Sequence, residues 1–563
     1  MLFGIDVGGT HTDAVLIDKE KGVRAYTKIP TMTNDLLGSI RAAIKEILSQ
    51  EKNVKIERFN LSTTLCTNAI VQDMLEPVGM LVSAGPGIHP ENFRIGEYYE
   101  IIPGGLDHRG TEISPLDLDY AKEIVNRFLK QGIEVFSVVS KFSPRNPAHE
   151  EQLASLIKDR AKFITKGYKL SAQLNFPRRI ATAYYNSAVW PIFVNFLDSV
   201  EDCLKEFNFA PKINILKADG GTMTIAGARM YPVESIFSGP AASVMGIIAL
   251  CDIKEDAIVM DVGGTTTDIG IFASGDPLIE PENVRLKERP TLVRAMKVKS
   301  IGLGGDSMVS IKNNCINIGP KRVGPCMAVG GDTPTFLDAL NIISQECYGD
   351  KEASLRGIAQ LNENLSCVLD KTASEIVEQG CKILKKEVTD FIDEINERPI
   401  YTIHEMLEFR KIEPKKIYLM GGPAKLLAPY VEREFGLPVI VPDFFEVANA
   451  IGAALARPTM QAELLADTEK GIITIPELGI TDKISKHYNL KVAREELKAK
   501  MEDYIKREFS WNLDIKDIEV IEESSMNMVK DVFTVGKDIR VKCQIKPGIS
   551  EGYEKRVRCI CNR

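Results

Sequence analysis

Gly4-Ile5-Asp6-Val7-Gly8-Gly9-Thr10-His11-Thr12-Asp13 and Val259-Met260-Asp261-Val262-Gly263-Gly264-Thr265-Thr266-Thr267-Asp268 share the pattern D-V-G-G-T-x-T-D, identical at every position but the sixth. In each copy an apolar run enters Gly-Gly and a β-branched, apolar run leaves it, which predicts two strands joined at a tight tip. A single copy would read as an ordinary hairpin using glycine for its turn. Two copies read as an internal duplication. Outward from the first copy, Val23–Ile29 predicts a third strand. Leu36, Leu37, Ile40, Ala43, Ile44, Ile47 and Leu48 then recur at the spacing of an amphipathic helix.

The chemistry suggested by a paired glycine turn is phosphate binding. A Gly-Gly-Thr turn lets backbone N–H groups and a hydroxyl approach anionic oxygens without a Cβ in the way. Two such turns, one from each half of the chain, can clamp a nucleoside triphosphate across an interdomain cleft, where ligand sites often lie. Asp6 and Asp261 at the strand ends would face the same phosphates, so a cation must separate them. Mg²⁺ suits this role because it accepts one or two carboxylates together with phosphate oxygens. A third element, Ile417-Tyr418-Leu419-Met420 entering Gly421-Gly422, predicts a buried strand whose glycines can pack flat against a nucleoside. Pro438–Val441 predicts a short strand, and Ala448–Ala456, with Gly452 among alanines, a small-residue helix suited to close packing.

Composition narrows the class. The chain has 563 residues, 44% hydrophobic and 26% charged, with 70 Lys+Arg against 78 Asp+Glu and a net charge of −8. That length predicts about three to five domains. Interspersed charge without a basic field speaks against a nucleic-acid partner. The longest apolar stretch, Ala241–Cys251, is far short of the ~20 residues needed to cross a bilayer. With no basic leader before an apolar run, a cytoplasmic protein without membrane contact is expected. The 11 cysteines are scattered along the chain, which favours free thiols.

The order of two D-x-G-G-T turns, small-residue helices and a late strand-Gly-Gly resembles the actin, heat-shock chaperone and sugar-kinase ATPase superfamily. Within it the chain resembles the A subunit of the hydantoinase/oxoprolinase family. The resemblance is carried by Lys217-Ala218-Asp219-Gly220-Gly221-Thr222-Met223 and by Pro232-Val233-Glu234 through Ser238-Gly239-Pro240-Ala241-Ala242. Thr63-Thr64-Leu65-Cys66-Thr67-Asn68-Ala69, Asn146-Pro147-Ala148-His149-Glu150 and Ile301-Gly302-Leu303-Gly304-Gly305-Asp306-Ser307 support it. It implies an α/β fold of duplicated ribonuclease-H-like, actin-like ATPase domains with a small C-terminal α+β appendage, at residues 1–180, 181–465 and 466–563. It also implies ATP-dependent phosphorylation of a carbonyl or enolate oxygen on a small substrate. Hydrolysis of a cyclic amide of the hydantoin or 5-oxoproline type ranks ahead of ketone carboxylation, and a partner B-type subunit and an oligomer are expected.

By position, Gly8, Gly9, Thr10, His11, Thr12, Gly263, Gly264, Thr265 and Thr266 would hold ATP phosphates. Gly304, Gly305, Gly421 and Gly422 would complete the nucleotide site. Asp6 and Asp261 would organise Mg²⁺, and Asp6, Asp13, Asp261 and Asp268 are the candidate catalytic carboxylates. Asp13 and Asp268 read equally as turn-ordering residues. Three departures stand out: Leu61-Ser62 replaces the family's usual His-Gly, Gly304-Gly305-Asp306 replaces Gly-Gly-Gly, and Pro-Gly-Pro-x-Cys-Tyr is reduced to Gly324-Pro325-Cys326-Met327-Ala328. The chain is also shorter than typical members, mostly at its C-terminal end.

Other features have plainer readings. Cys66 lacks a neighbouring His and reads as a small buried thiol. Cys543 with Cys559-Ile560-Cys561 lacks the paired spacing of a metal knuckle. Arg178-Arg179 opens a connecting helix, and Ala373–Ile395 reads as a packed helix outside any site. A small-molecule kinase and an ATP-driven activator of a partner protein remain alternatives within the same fold.

Overall fold

The computed structural model describes every residue except 33, 53, 282, 313–314, 362–368, 398–409, 510–514, 554–556 and 558–563. The Cys559 and Cys561 reading therefore lies outside the described residues, whereas Cys543 is a buried free thiol.

The first hairpin forms as the sequence predicts. Leu2–Val7 pairs antiparallel with His11–Asp18, which pairs with Gly22–Pro30, and the helix Leu36–Gln50 follows. On its other edge Leu2–Val7 pairs parallel with Arg58–Thr63. The second hairpin repeats this plan: Ala257–Val262 pairs antiparallel with Thr267–Ala273 and parallel with Lys416–Met420. The late strand-Gly-Gly is thus the counterpart of Arg58–Thr63 in the first lobe. The molecule is a duplicated α/β protein.

The first sheet does not stop at residue 180. It recruits Lys212–Leu216, parallel to Arg58–Thr63, and then Thr222–Thr224. The single helix Phe176–Glu206, at ~1.5 Å rise per residue, carries the chain the length of the lobe to reach that edge. It absorbs Arg178 and Arg179, and Arg179 is fully buried, donating to the Ser140 carbonyl at 2.8 Å. A second sheet of four parallel strands, built from residues 78–83, 99–102, 135–140 and 163–166, comes from the stretch of chain between Arg58–Thr63 and Lys212–Leu216.

The C-terminal part is an α+β unit whose first strand begins at Met460, six residues before the expected boundary at 466. Met460–Asp467, Ile472–Ile475, Ile480–Lys483, Ile518–Lys530 and Phe533–Ile545 form one antiparallel sheet. The helix Leu490–Phe509 covers it with Ala493, Leu497, Met501 and Ile505, spaced four residues apart on one face. The family-like segment around Asp219 ties this unit to the lobes. Asp219 accepts from the Gly221 N–H at 3.0 Å and from the Thr459 hydroxyl at 2.9 Å, with Lys217 and Arg294 beside it. No helix among the described residues is long and apolar enough to cross a membrane.

The lobes meet through two small-residue helices, Ser238–Leu250 and Ala448–Leu455. A Cβ at Gly452 would lie 2.4 Å from the Ala242 carbonyl oxygen, and one at Gly246 2.3 Å from that of Ala448. A Cβ at Gly4 in the first strand would lie 2.3 Å from the Ala450 oxygen. Backbone therefore packs on backbone. Glycine to alanine inside a helix ordinarily stabilises by roughly 0.5–1 kcal/mol. Gly452→Ala should do the reverse, lowering stability by about 1–3 kcal/mol through overpacking, read as a lower thermal midpoint. An unchanged or raised midpoint would contradict the contact.

Candidate functional site

The two hairpin tips face each other. The hydroxyls of Thr10 and Thr265 lie 3.3 Å apart, and a Cβ at Gly264 would come within 3.2 Å of the Thr10 methyl. Each turn closes in the same way: the Gly8 N–H donates to the His11 carbonyl at 3.1 Å and the Gly263 N–H to the Thr266 carbonyl at 2.9 Å. The register sets Asp6 opposite Asp13 and Asp261 opposite Asp268, so each hairpin presents a pair of carboxyls from directly opposed positions.

These four carboxyls form the base of the site. Asn449, one residue into the helix Ala448–Leu455, donates to Asp261 at 3.0 Å and reaches Asp6 at 3.5 Å, bridging the two lobes. Ser243, from the crossing helix, donates to Asp261 at 2.7 Å. Lys28 donates to both Asp13 oxygens at 2.9 Å and to the Glu446 carbonyl at 2.9 Å. Burial works against the Lys28 ammonium, but Asp13 outweighs it and holds its pKa above the ordinary value. Asp13 is thus committed to an ion pair, which argues against its reading as a free base.

Among the described residues Asp6 and Asp268 have no such cation. Burial, with Asp13 and Asp261 adding repulsion, pushes Asp6 up to about 7, against hydrogen bonds from Ser62 and Asn449. Burial and the neighbouring Asp261 push Asp268 up to about 7 as well. Asp6 Oδ1 and Asn449 Oδ1 are buried without a hydrogen-bond partner among the described residues. A buried acceptor left unpaired is costly, and a cation would satisfy it. No group of three or more His, Cys, Asp or Glu side chains suited to a metal occurs among the described residues. Asp6 and Asp261, bridged by Asn449, are the carboxyls that could hold a cation between the two turns.

The glycines divide into two kinds. Gly9 and Gly422 border open space, with no described atom within 4 Å of an added Cβ, and neither has positive φ. Nothing in the protein demands glycine at either position. Gly421, by contrast, has φ +93° and lies against the Val262 carbonyl. Gly304 is buried against the backs of Gly263 and Gly264, while the Gly305 N–H donates to the Gly263 carbonyl at 2.9 Å. These two brace the second turn, a correction to reading Gly304 as a ligand-facing glycine.

Other expected contacts also shift. Thr12 is fully buried with its hydroxyl on that of Thr31 at 2.9 Å, so it does not face the cleft. His11 stays at the tip, but burial, with Lys28 and Arg322 nearby, pushes its pKa down to about 4. A neutral imidazole results at neutral pH. Asp306 accepts from Arg322 at 3.0 Å and from the Cys326 N–H at 3.0 Å, so its charge is paired beside Gly264. Ser62, standing where the family has Gly, hydrogen-bonds Asp6. Burial pushes the Cys66 thiol up to about 12, which fits an inert core residue.

Sequence reasoning missed Lys28, Ser243, Arg322 and Asn449. Lys28 faces Asp13 because the pairing shifts by one residue between Leu16 and Ile17; counting back from the turn pair Asp18 and Gly22 would have chosen Thr27 instead. Asn449 is the polar residue in an otherwise small and apolar helix.

Two outcomes follow from this geometry. Lys28→Met leaves Asp13 buried without a cation and should cost on the order of 3 kcal/mol at neutral pH. The loss should shrink on acidification, because the unpaired carboxyl then takes up a proton on folding. Equal denaturation midpoints for the variant and wild type at pH 7 would contradict the pairing. Peptide mapping after iodoacetamide treatment of the folded protein should find the exposed Cys315 and Cys347 modified and Cys66 untouched. Labelling of Cys66 would contradict its burial.

Comparison with known proteins agrees with this architecture. The caprolactamase subunit alpha of Pseudomonas jessenii is 24% identical over 481 residues, 78% of this chain and 67% of its own. The solved structure of the ATP-dependent caprolactamase from Pseudomonas jessenii superimposes with a TM-score of 0.69 at 18% identity, covering 96% of this chain and 87% of that one. A nucleotide-free acetone carboxylase gives 0.67 at 15% identity, covering 98% and 88%. At such identities these structural matches speak to fold. The family model described as hydantoinase/oxoprolinase matches residues 179–462, and that of the same family's N-terminal region matches residues 2–161. The chain belongs to the hydantoinase/oxoprolinase family.

Proposed function

We propose that this chain is the ATP-using subunit of an enzyme that phosphorylates the carbonyl or enolate oxygen of a small substrate, with hydrolysis of a cyclic amide as the reaction. The observation that carries the reading is the meeting of the Thr10 and Thr265 turns above a buried, unpartnered Asp6 oxygen. A triphosphate brings the anionic oxygens that the turns can hold and the divalent cation that the carboxyls need.

The residues divide the work. Gly8, Gly9 and Thr10 from one lobe, with His11 as a neutral donor, and Gly263, Gly264, Thr265 and Thr266 from the other would hold the phosphates. Gly422, bordering open space, would lie along the nucleoside, with Gly421 shaping that turn. Asp6 and Asp261 would hold Mg²⁺, which supplies charge neutralisation between phosphate oxygens. Asp268, pushed up to about 7 by burial and by Asp261, would give or take a proton as the carbonyl is activated.

The chemical need is clear. An unstrained lactam is a poor electrophile. Transfer of the γ-phosphoryl group forms a bond from the amide oxygen to phosphorus and breaks the bond to the β-phosphate bridging oxygen, releasing ADP. Water adds at the activated carbon and the ring nitrogen leaves as an amine. A second water cleaves the resulting acyl phosphate to the acid and inorganic phosphate. The relatives' names support both a lactam and a ketone as substrates within this fold, and a B-type partner is proposed because the caprolactamase relative is itself named as a subunit.

The test is to copurify the chain with its neighbouring subunit and screen lactams, hydantoins and ketones for stimulated release of ADP. No stimulation by any of them would overturn the reading. Asp261→Asn should cut Mg²⁺-dependent ATP turnover at least about 100-fold while leaving the thermal midpoint unchanged or higher, since one of several crowded carboxylates is removed. Undiminished turnover would contradict the metal role. Gly9→Val should weaken ATP binding by at least about tenfold with little effect on stability, because its side chain enters open space.

A further inference from the structure

A cavity of about 500 Å³ lies between the first turn of the helix Ser238–Leu250, the ribbon running from Glu280 to Ser300 and the end of the helix Leu369–Asn396. That last helix was expected to lie outside any site, yet its Glu394 lines this cavity. Much of the wall is apolar, including Phe237, Ala241, Val284, Met296 and Val298.

Two links join the cavity to the carboxyl cluster. Ser300, in its wall, is the cross-strand partner of Asp268. Gly270, two residues along the same strand, packs against Val244 of the helix Ser238–Leu250. By the two-residue period of a strand, Asp268 belongs to the face that this helix covers. Pro240 and Ala241 line the cavity about one turn before Ser243, whose hydroxyl holds Asp261. The cavity and the proposed phosphate site therefore share one helix, and the strand Val298–Ile301 in the cavity wall pairs with the strand that carries Asp268.

The charges in the cavity indicate what it can take. Lys297, with its side chain 15% exposed, is already paired with Glu280 at 3.4 Å and Glu394 at 2.9 Å. Arg285 is exposed and donates to the Glu288 carbonyl, so it is a hydrated charge on the rim. A carboxylate entering this space would be desolvated against apolar walls, would find the inner ammonium already neutralised and would meet two like charges. An uncharged ring or chain would pack on the apolar wall and the Ser300 and Asn283 side chains and leave the Lys297 ion pairs with Glu280 and Glu394 intact.

We propose that this cavity binds the carbonyl substrate and that it selects uncharged compounds, simple lactams or ketones, over rings bearing a carboxylate. The proposal rests on the reading of the paired turns as the ATP site and narrows its substrate class.

The test uses the full chain with its copurified subunit, loaded with a non-hydrolysable ATP analogue, and measures binding of ε-caprolactam and 5-oxoproline by titration calorimetry. The wild-type protein should bind ε-caprolactam at least tenfold more tightly than 5-oxoproline. Val298→Trp, which fills the cavity from a strand edge, should weaken ε-caprolactam binding at least tenfold, with a retained thermal midpoint as the check on folding. Glu280→Gln with Glu394→Gln, both with more exposed side chains, should free Lys297 and shift the preference at least tenfold toward 5-oxoproline. Preference of the wild type for 5-oxoproline, no effect of a folded Val298→Trp, no shift in the double variant, or failure of both probes to bind the nucleotide-loaded protein would each overturn the proposal. Failure of the nucleotide itself to bind, measured first, would instead overturn the ATP reading.

Discussion

The backbone contact between Gly452 and the Ala242 carbonyl sets how closely the two lobes can approach, and the site depends on that approach. Two hairpins on separate sheets can bring Thr10 and Thr265 to 3.3 Å only if the helices beneath them cross without side chains between them. The same crossing puts Asn449 where one amide reaches Asp261 and approaches Asp6, and Ser243 where it bonds Asp261. Small residues in these helices are thus a geometric requirement of the cleft.

The cluster above the crossing is held at an energetic disadvantage. Asp6 and Asp268 each sit near 7, so at neutral pH part of the population keeps them protonated to avoid buried like charge. Lys28 neutralises Asp13 alone. Crowded carboxyls and an orphaned Asp6 oxygen suit a site for a cation and its anionic companion. Stability forgone by crowding these carboxyls is then available as binding energy, a common pattern where function and fold compete.

Much of the fold was legible in the sequence. D-V-G-G-T-x-T-D fixed both strands of each hairpin and the turn between them, and the repeat announced the duplication. The spacing of Leu36 to Leu48 marked its helix, and Gly452 among alanines marked the crossing. What escaped depended on long-range contact. Lys212–Leu216 joins the first sheet beyond the expected boundary, because register with Arg58–Thr63 is decided in space. Asn449 finds its partners 188 and 443 residues away. The glycines looked alike in sequence, yet Gly304 braces a turn, Gly421 occupies positive φ and Gly9 and Gly422 border open space, distinctions that only the surrounding atoms make. Thr12 matched the pattern, but the side-chain alternation of its strand points it inward.

The central claim is that both turns grip one nucleotide. Hydrogen exchange of the backbone amides, compared with and without Mg²⁺ and a non-hydrolysable ATP analogue, tests it most directly. The account predicts simultaneous protection of residues 8–12 and 263–266 at the same nucleotide concentration. Protection confined to one turn, or to neither while the nucleotide is bound, would contradict it.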